Sequence, residues 1–263
     1  MNIDRLKHVL SLPTYTGYEQ DIKNYILIFG IKHGISVYID VKDNYYLKKG
    51  ELLEGEYYPC IVAHMDTVHV DQANLVGTGN KLTILEETAD NQTILMANLP
   101  SGEPTGIGGD DKCGIFIALE LLLKMDKGIA AFFVEEETGC WGSWSSDKDI
   151  LKDVGYFIQF DAPSDNWVSL YNMNIMPFSE EFFLEIKPIL DKFEQNNYSD
   201  DPFTDVWALT QRFDVSCINF FAGYHNMHTK MEYVVVEQVD KAIKMGEELI
   251  NHLGFKKYEH KLC

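Results

Sequence analysis

Arginine is almost absent from this 263-residue chain, which has only Arg5 and Arg212 and carries 22 basic residues against 41 acidic ones. The formal net charge of −19 would repel a phosphate backbone, because nucleic-acid binding depends on clustered Lys and Arg that replace counterions. The composition therefore excludes nucleic acid as a partner. The same negative field keeps a protein in solution and attracts metal cations.

Cysteines and long apolar runs are also scarce. No Cys-x-x-Cys pair occurs among the five widely spaced cysteines, which are Cys60, Cys113, Cys140, Cys217 and Cys263. We expect neither a disulfide framework nor a thiolate zinc site, and we interpret these residues as reduced thiols of a cytoplasmic protein. No stretch approaches the roughly 18 apolar residues of a membrane helix, and the first residues lack the apolar segment of a signal peptide. We therefore expect no membrane partner.

The chain does contain an alternation of helical and strand-like segments, with 46% hydrophobic residues to form a core. Apolar periodicity predicts helices over 3–10, 19–33, 112–124, 145–152, 180–194 and 236–253, the last capped by Gly254. Pro188 should kink the helix over 180–194 or shift its start. Short apolar runs predict strands over 35–41, 58–63, 129–134, 156–160 and 215–221, and a hairpin over 82–85 and 93–96. This alternation favours one α/β domain with a mostly parallel central sheet and helices on both faces.

Polar side chains follow four of these predicted strands. His64 and Asp66 follow the strand over 58–63, and the run of glutamates over 135–137 follows the strand over 129–134. Asp161 follows the strand over 156–160, and His228 comes shortly after the strand over 215–221. Ligands of open α/β sheets bind at the carboxyl ends of the strands, so we expect these side chains to converge. Histidine with carboxylates is the donor set of zinc-like divalent ions. Each group alone has an ordinary explanation, such as a charged turn, and it is their joint occurrence that indicates a metal centre.

Six motifs carry these residues through almost the whole chain. They are TGYEQDIKNYI (16–26), AHMDTV (63–68), GGDDKCGI (108–115), EEETGCWGS (135–143), FDAP (160–163) and GYHNMHTKMEYVVVEQVDKAI (223–243). Their ordered set resembles the co-catalytic zinc exopeptidases and deacylases, which include tripeptidase T, carboxypeptidase G, succinyl-diaminopimelate desuccinylase and the aminoacylases. The resemblance implies the α/β fold of the zinc exopeptidases, which is phosphorylase/hydrolase-like.

The resemblance also implies a site for two divalent metal ions, zinc with cobalt or manganese as alternatives. His64 and Asp161 would bind the first ion, Glu137 and His228 would bind the second, and Asp110 would bridge both. A bridging carboxylate suits this task because its two oxygens can face two cations, and paired ions can acidify a shared water.

Three more residues of these motifs have expected roles. Asp66 would orient the imidazole of His64. Glu136 would be the general base that takes a proton from the water and later delivers it to the leaving amine. Asp111 has no implied role in the chemistry, and we expect it to cap the helix that follows.

The chain departs from many relatives in one respect. They insert a separate lid domain between the counterparts of Asp161 and His228, whereas here these two residues are only 67 apart. That interval is too short for an extra folded domain beside the core elements it must hold. We expect a single catalytic domain over 1–263 without a lid, and the oligomeric state stays open.

Without a lid, other groups must stabilise the oxyanion and bind the substrate. Each candidate also has a structural explanation. The oxyanion candidates are Tyr224, His225 and His69, and Arg212 would either clamp a substrate carboxylate or lie on the surface. An apolar pocket or the packed core could equally contain Trp141, Trp144 and Trp167. We interpret Cys113 and Cys140 as packing residues.

These expectations lead to a metal-dependent enzyme that cleaves amide bonds in short peptides, an aminopeptidase or di/tripeptidase. An N-acyl amino acid deacylase with the same site is the alternative, since the metal centre is common to both. A non-catalytic metal-binding protein that keeps the fold is a third hypothesis, and the presence of Glu136 beside a full ligand set argues against it.

Overall fold

A computed structural model of the chain describes residues 1–201 and 204–262. The helices within these ranges are α1 (Ile3–Ser11), α2 (Gln20–His33), α3 (Gly109–Lys124), α4 (Trp141–Trp144), α5 (Lys148–Leu151), α6 (Glu180–Lys192), α7 (Asp205–Arg212) and α8 (Val236–Leu253). The strands are β1 (Ser36–Ile39), β2 (Tyr45–Lys49), β3 (Tyr58–His64), β4 (Thr83–Ala89), β5 (Gln92–Asn98), β6 (Pro104–Thr105), β7 (Gly128–Phe133), β8 (Val154–Phe160), β9 (Trp167–Asn172), β10 (Asn197–Asp201), β11 (Cys217–Phe220), β12 (Tyr224–His225) and β13 (Tyr233–Val235).

Eight strands form the main sheet in the order β1-β2-β7-β3-β8-β11-β9-β10. Its four central strands, β7, β3, β8 and β11, run parallel. Antiparallel pairing occurs where β2 joins β7 and where β9 joins β11. The mostly parallel α/β sheet expected from the sequence is confirmed, and the central strands are buried along their whole length, which is why they consist of near-continuous apolar runs.

Helices cover both faces of this sheet, and alternate residues of one strand show the two cores. Ile61 and Ala63 of β3 pack into the cluster that includes α1, α2, α3, α6 and α8. Cys60 and Val62 of the same strand point to the smaller cluster on the other face, where Val206 and Leu209 of α7 pack. Burying each large aliphatic side chain contributes on the order of 2 kcal/mol, so both faces stabilise the strand ends that carry polar groups.

A second sheet has the order β12-β13-β5-β4, with β6 paired to β5. The expected hairpin is confirmed as β4 and β5, which turn at Asp90 and Asn91 with φ of 51° and 61°. Positive φ at both central residues is the geometry of a type I′ turn, which Asn and Asp tolerate. The second sheet holds β12 and β13, and the loop between them lies over the start of α3.

Two expected helices differ from their predictions. The helix predicted over 145–152 is shorter in the structure, because α5 begins only after Asp147, whose side chain caps it by accepting hydrogen bonds from the backbone of Asp149 and Ile150. Pro188 does not shift the start of α6, which begins after the cap Ser179 and continues through the proline to Lys192. Leu184, whose carbonyl the proline leaves without a partner, is on the exposed side of α6, where water can hydrate it.

Two expectations from the sequence concern the whole chain. Cys60, Cys113, Cys140 and Cys217 are buried free thiols, and Cys263 lies outside the described residues. Among residues 1–201 and 204–262, no helix has the length and apolar character needed to cross a membrane.

Candidate metal centre

The predicted site residues lie together at one edge of the main sheet. His64 is the last residue of β3, Glu136 and Glu137 follow β7, and Asp161 follows β8, so three neighbouring parallel strands deliver them. Asp110 comes from the start of α3. His228 comes from the loop between β12 and β13, where it has a φ of 63°.

Asp110 is at the centre of this group, and its two carboxylate oxygens face different histidines. Oδ1 lies 3.0 Å from Nε2 of His64. Oδ2 lies 3.2 Å from Nε2 of His228. The Asp110 side chain is almost fully buried and His64 is 1% exposed, whereas His228 is 47% exposed, so the carboxylate joins one buried and one half-exposed imidazole.

The other two carboxylates each face one of the histidines. Oδ1 of Asp161 is 3.6 Å from Nε2 of His64, and Oε2 of Glu137 is 3.1 Å from Nε2 of His228. The five side chains therefore form two sets of three that share Asp110. Donor atoms lie within 4.8 Å of one another in two overlapping groups, His64 with Asp110 and Glu137, and His64 with Asp111 and Asp161, so either group could hold a metal ion.

The spacing and bonding of these atoms fit a zinc-sized ion. Tetrahedral coordination with bonds of about 2.0–2.1 Å separates neighbouring donor atoms by roughly 3.3 Å, and the contacts within the two sets span 3.0–3.6 Å. Oε1 of Glu137 is buried without a hydrogen-bond partner. An unpartnered carboxylate oxygen in a buried site is costly unless a cation or a water satisfies it.

Asp111 braces the site, although its position would also allow it to bind a metal. The peptide bond between Asp110 and Asp111 is cis. Oδ1 of Asp111 accepts a hydrogen bond from the backbone of Gly114 at 3.0 Å, which is the expected helix-capping bond, and Oδ2 accepts one from the backbone of His64 at 3.2 Å. Both oxygens are thus engaged. A Cβ on Gly114 would lie 2.2 Å from Oδ1, so this brace requires glycine there.

Asp66 contacts His64 and also holds the loop that carries the glutamates. Nδ1 of His64 lies 3.1 Å from the backbone oxygen of Asp66 and 3.5 Å from its carboxylate. The carboxylate accepts hydrogen bonds from the backbone of Glu136 at 3.0 Å and of Glu137 at 3.3 Å, and from the hydroxyl of Thr16 at 2.8 Å. One buried carboxylate therefore positions groups on two strands.

Glu136 points to the other side of the turn from Glu137. Its Oε2 is 4.0 Å from Nε2 of His64. The thiol of Cys140 donates a hydrogen bond to Oε1 of Glu136 at 3.5 Å. Cys140 therefore contacts a site residue, in addition to the packing role expected from the sequence. Glu136 thus approaches His64, whereas Glu137 faces His228.

The charges of the cluster shift the pKa values of its members. Hydrogen bonds to Asp110 and then Glu137 raise the pKa of His228 to about 10. Burial alone would lower the pKa of His64, but the charge of Asp161 and hydrogen bonds to Asp110 and Asp161 raise it well above its ordinary value. Burial raises the pKa of Glu136 and of Asp161. Without a cation, this concentration of carboxylates retains protons.

Glu232 is a site residue that the sequence reasoning missed. It is 1% exposed and accepts hydrogen bonds from Nε2 of His69 at 2.7 Å, from the backbone of Gly108 at 2.8 Å and from the backbone of Asp110 at 3.0 Å. It thus fixes the backbone that presents the Asp110 carboxylate. Its only signal in the sequence is its position four residues after His228.

The remaining candidates separate into structural residues and residues of the cleft. His69 binds Glu232, His225 pairs with Gln238 and stacks on Tyr233, and Arg212 donates to Ser146. Trp141 is half exposed, and Trp144 packs edge-on against Trp207. Tyr224 donates its hydroxyl to Oδ1 of Asp161 at 3.2 Å, and Tyr224 and Trp167 line the cleft.

That cleft has a volume of about 650 Å³. Four of the five converging side chains line it, Asp110, Glu137, Asp161 and His228, and so does Glu136. A cavity of this size accommodates a short peptide or another small molecule.

The fold was compared with known proteins. No family model and no curated protein sequence matches the chain. Among solved structures, the aminopeptidase PepT of Bacillus cereus ATCC 10987 is 12% identical with a TM-score of 0.73, covering 95% of this chain and 97% of that one. A tripeptidase of Staphylococcus aureus subsp. aureus Mu50 is 14% identical with a TM-score of 0.68, covering 95% and 98%.

A third similar structure is the TET aminopeptidase of a marine sediment archaeon, Thaumarchaeota archaeon SCGC AB-539-E09. It is 10% identical with a TM-score of 0.73, covering 96% of this chain and 98% of that one. The chain therefore has the fold of these peptidases, and the α/β fold that the sequence motifs implied is confirmed.

Proposed function

We propose that the chain is a metal-dependent hydrolase of amide bonds, an aminopeptidase or di/tripeptidase that acts on short peptides. The observation that carries this proposal is the arrangement of five donor side chains in two sets that share Asp110, with Glu136 beside them in a cleft. The fold shared with structures described as aminopeptidases and a tripeptidase supports it.

The proposed cofactor is a pair of divalent ions, zinc in the first instance. His64 and Asp161 would hold one ion, Glu137 and His228 the other, and the two oxygens of Asp110 would bind one each. Bound ions of this kind polarise the scissile carbonyl and lower the pKa of a water molecule. The orphaned Oε1 of Glu137 and the donor spacing support this assignment.

Glu136 is the proposed general base. Its carboxylate takes a proton from the attacking water and delivers it to the nitrogen of the leaving amine, as one group can do when it faces both. Asp66 holds the backbone of Glu136 and Glu137 by accepting a hydrogen bond from each of their N–H groups. Tyr224 is the one oxyanion candidate that lines the cleft, and its hydroxyl is the proposed donor to the developing negative charge, for which it must release Oδ1 of Asp161.

The proposed working unit is one catalytic domain over the whole chain, without an inserted lid, in the cytoplasm. Its support is the segment between Asp161 and His228, whose described elements β9, β10 and β11 are strands of the main sheet itself. Cleft-lining residues from this segment, such as Trp167 and Thr204, would then perform the task of substrate binding.

The test is metal content per chain, followed by peptide hydrolysis after chelation and after metal is returned. The decisive variant is Glu136→Gln, for which we expect two bound ions and hydrolysis slower by about 10²–10⁴-fold. Glu135→Gln is the matched control, since Glu135 pairs with Lys42 and does not line the cleft. A fully active Glu136→Gln protein would refute the role of the base, and a metal-free, active protein would refute the metal centre.

A further inference from the structure

Among the described side chains that line the cleft, one carboxylate is not used by the proposed metal centre. Asp200, in β10, lines the cleft together with Trp167 and Thr204. On the floor lies Glu137, whose side chain is 7% exposed and whose Oε1 has no partner. Asp200 is exposed, and its Oδ1 accepts a hydrogen bond from the backbone N–H of Asn174 at 3.3 Å.

No lysine or arginine among the described residues of the cleft balances this carboxylate. None of the described residues that line the cleft is a lysine or an arginine. Both arginines are engaged elsewhere, Arg212 with Ser146 and Arg5 with Glu120. The nearby Lys230 forms its ion pair with Asp71, outside the cleft. A substrate carboxylate entering this cleft would meet no Lys or Arg among the described lining side chains.

The charges of the cleft therefore favour a cationic group on the substrate. Four carboxylates belong to the proposed centre and its base, Asp110, Glu136, Glu137 and Asp161, and two divalent ions would balance their charge. Asp200 remains as an additional negative charge. A charge of one sign in a partly enclosed cleft attracts the opposite sign and disfavours its own.

We infer that Asp200 holds the free amino terminus of the substrate and makes the cleft selective for peptides with an unblocked α-ammonium group. This inference rests on the proposed function and specifies its substrate. An ammonium group can donate three hydrogen bonds, and its positive charge complements the negative charge of the Asp200 carboxylate. N-acyl amino acids have a carboxylate and no ammonium, so the same cleft disfavours them. The apolar surfaces of Trp167 and Met227 suit an apolar first residue.

The experiment compares three substrates on the zinc-loaded full-length protein: leucyl-p-nitroanilide, its N-acetyl derivative, and 4-methylpentanoyl-p-nitroanilide, which lacks only the amino group. For the unmodified protein we expect kcat/KM to be at least about tenfold higher for the free amine than for the other two, since hydrogen bonds to charged groups contribute roughly 1.5–3 kcal/mol and exposure reduces this. Asp200→Asn should remove most of that preference, mainly through KM, and leave the desamino substrate unchanged.

A binding measurement and a control complete the test. Calorimetry on the Glu136→Gln protein gives the dissociation constant of Leu-Gly, which Asp200→Asn should weaken by about tenfold. Asp191→Asn is the matched control, because Asp191 is an exposed carboxylate that pairs with Lys187 outside this cleft.

The outcomes separate the two proposals. Equal rates for free and acylated substrates, or an Asp200→Asn variant that loses activity equally on all three, would overturn the role of Asp200 and leave the hydrolase intact. Failure of the metal-loaded protein to cleave any of them, or any peptide or N-acyl amino acid, would overturn the proposed function and this inference with it.

Discussion

Two buried polar networks meet at Asp110, one through its side chain and one through its backbone. In the ligand cluster, defined as His64, Asp110, Glu137, Asp161 and His228, three carboxylates face two imidazoles, and Oε1 of Glu137 has no partner. In the Glu232 network, one carboxylate accepts three hydrogen bonds, from His69, Gly108 and Asp110.

The difference lies in what each network needs from outside the chain. The Glu232 network satisfies its buried charge with its own donors, which is the usual condition for a buried carboxylate. The ligand cluster concentrates negative charge and keeps protons on its histidines, as the raised pKa values of His64 and His228 show. The first network is complete as folded, whereas the second leaves Oε1 of Glu137 without a partner, which the proposed cations would satisfy.

The largest expected effect comes from a substitution that disrupts the ligand cluster and leaves the Glu232 network intact. Asp110→Asn removes the charge shared by both sets but keeps the backbone N–H that Glu232 accepts. We expect loss of metal binding and a fall in peptide hydrolysis of about 10³-fold, since bound ions contribute several kcal/mol to the transition state. Equilibrium dialysis and turnover measure both, and circular dichroism should show an unchanged fold. A variant that still binds two ions tightly would contradict the bridging role.

Metal removal is expected to have the next largest effect. A ligand at 100 times its dissociation constant stabilises the folded state by about 2.7 kcal/mol, which corresponds to roughly 5–10 °C in a domain of this size. Chelation should therefore lower the Tm by that amount in the unmodified protein and leave the Tm of Asp110→Asn unchanged. A chelator that shifts both proteins equally would show that the stabilising ion binds elsewhere.

The ligand cluster could be predicted from the sequence because its residue types carry its chemistry. His64 and Asp161 follow apolar runs, and a buried parallel strand is an apolar run whichever protein contains it. Asp110 does not follow a strand, and the family resemblance was needed to assign it as the bridge. Its convergence with the others depends on α3 beginning against β3, which no local pattern reveals.

The Glu232 network could not be predicted, because its donors are two backbone N–H groups and a distant histidine. Hydrogen bonds to the backbone depend on chain geometry and leave no trace in residue type. The same limit applies to β10, whose sequence NYSDD has no apolar alternation and pairs with β9 only through the tertiary fold. Asp200 lies in this strand, so no pattern in the sequence distinguishes it from other exposed aspartates.

The Glu232 network can also be disrupted without removing a metal ligand. Glu232→Gln replaces one carboxylate oxygen by an NH₂ group, which cannot accept a hydrogen bond from the backbone N–H of Gly108 or of Asp110. Because residues that orient ligands typically contribute 10–100-fold to metal affinity, we expect a loss in that range, measured by competition with a chromogenic chelator. Glu237→Gln is the matched control, since Glu237 accepts two bonds from Thr93 at the surface. Unchanged affinity in Glu232→Gln would mean that the two networks are independent.

The smallest expected effect is the change of metal affinity with pH, which distinguishes the ligand cluster from the Glu232 network without a mutation. Asp110 and Glu137 raise the pKa of His228 from 6.5 to about 10 in the metal-free fold. Its protonated form therefore stabilises that fold fully below pH 6.5, and the contribution is lost as the pH rises through about 10. Between these limits an incoming cation must displace the proton, so metal affinity should rise with pH by about tenfold per unit for each proton displaced. Calorimetry in buffers of different ionisation enthalpy counts those protons, and we expect at least one per chain at pH 7.5. Affinity that stays constant from pH 7 to 9 would mean that His228 is already neutral before the metal binds.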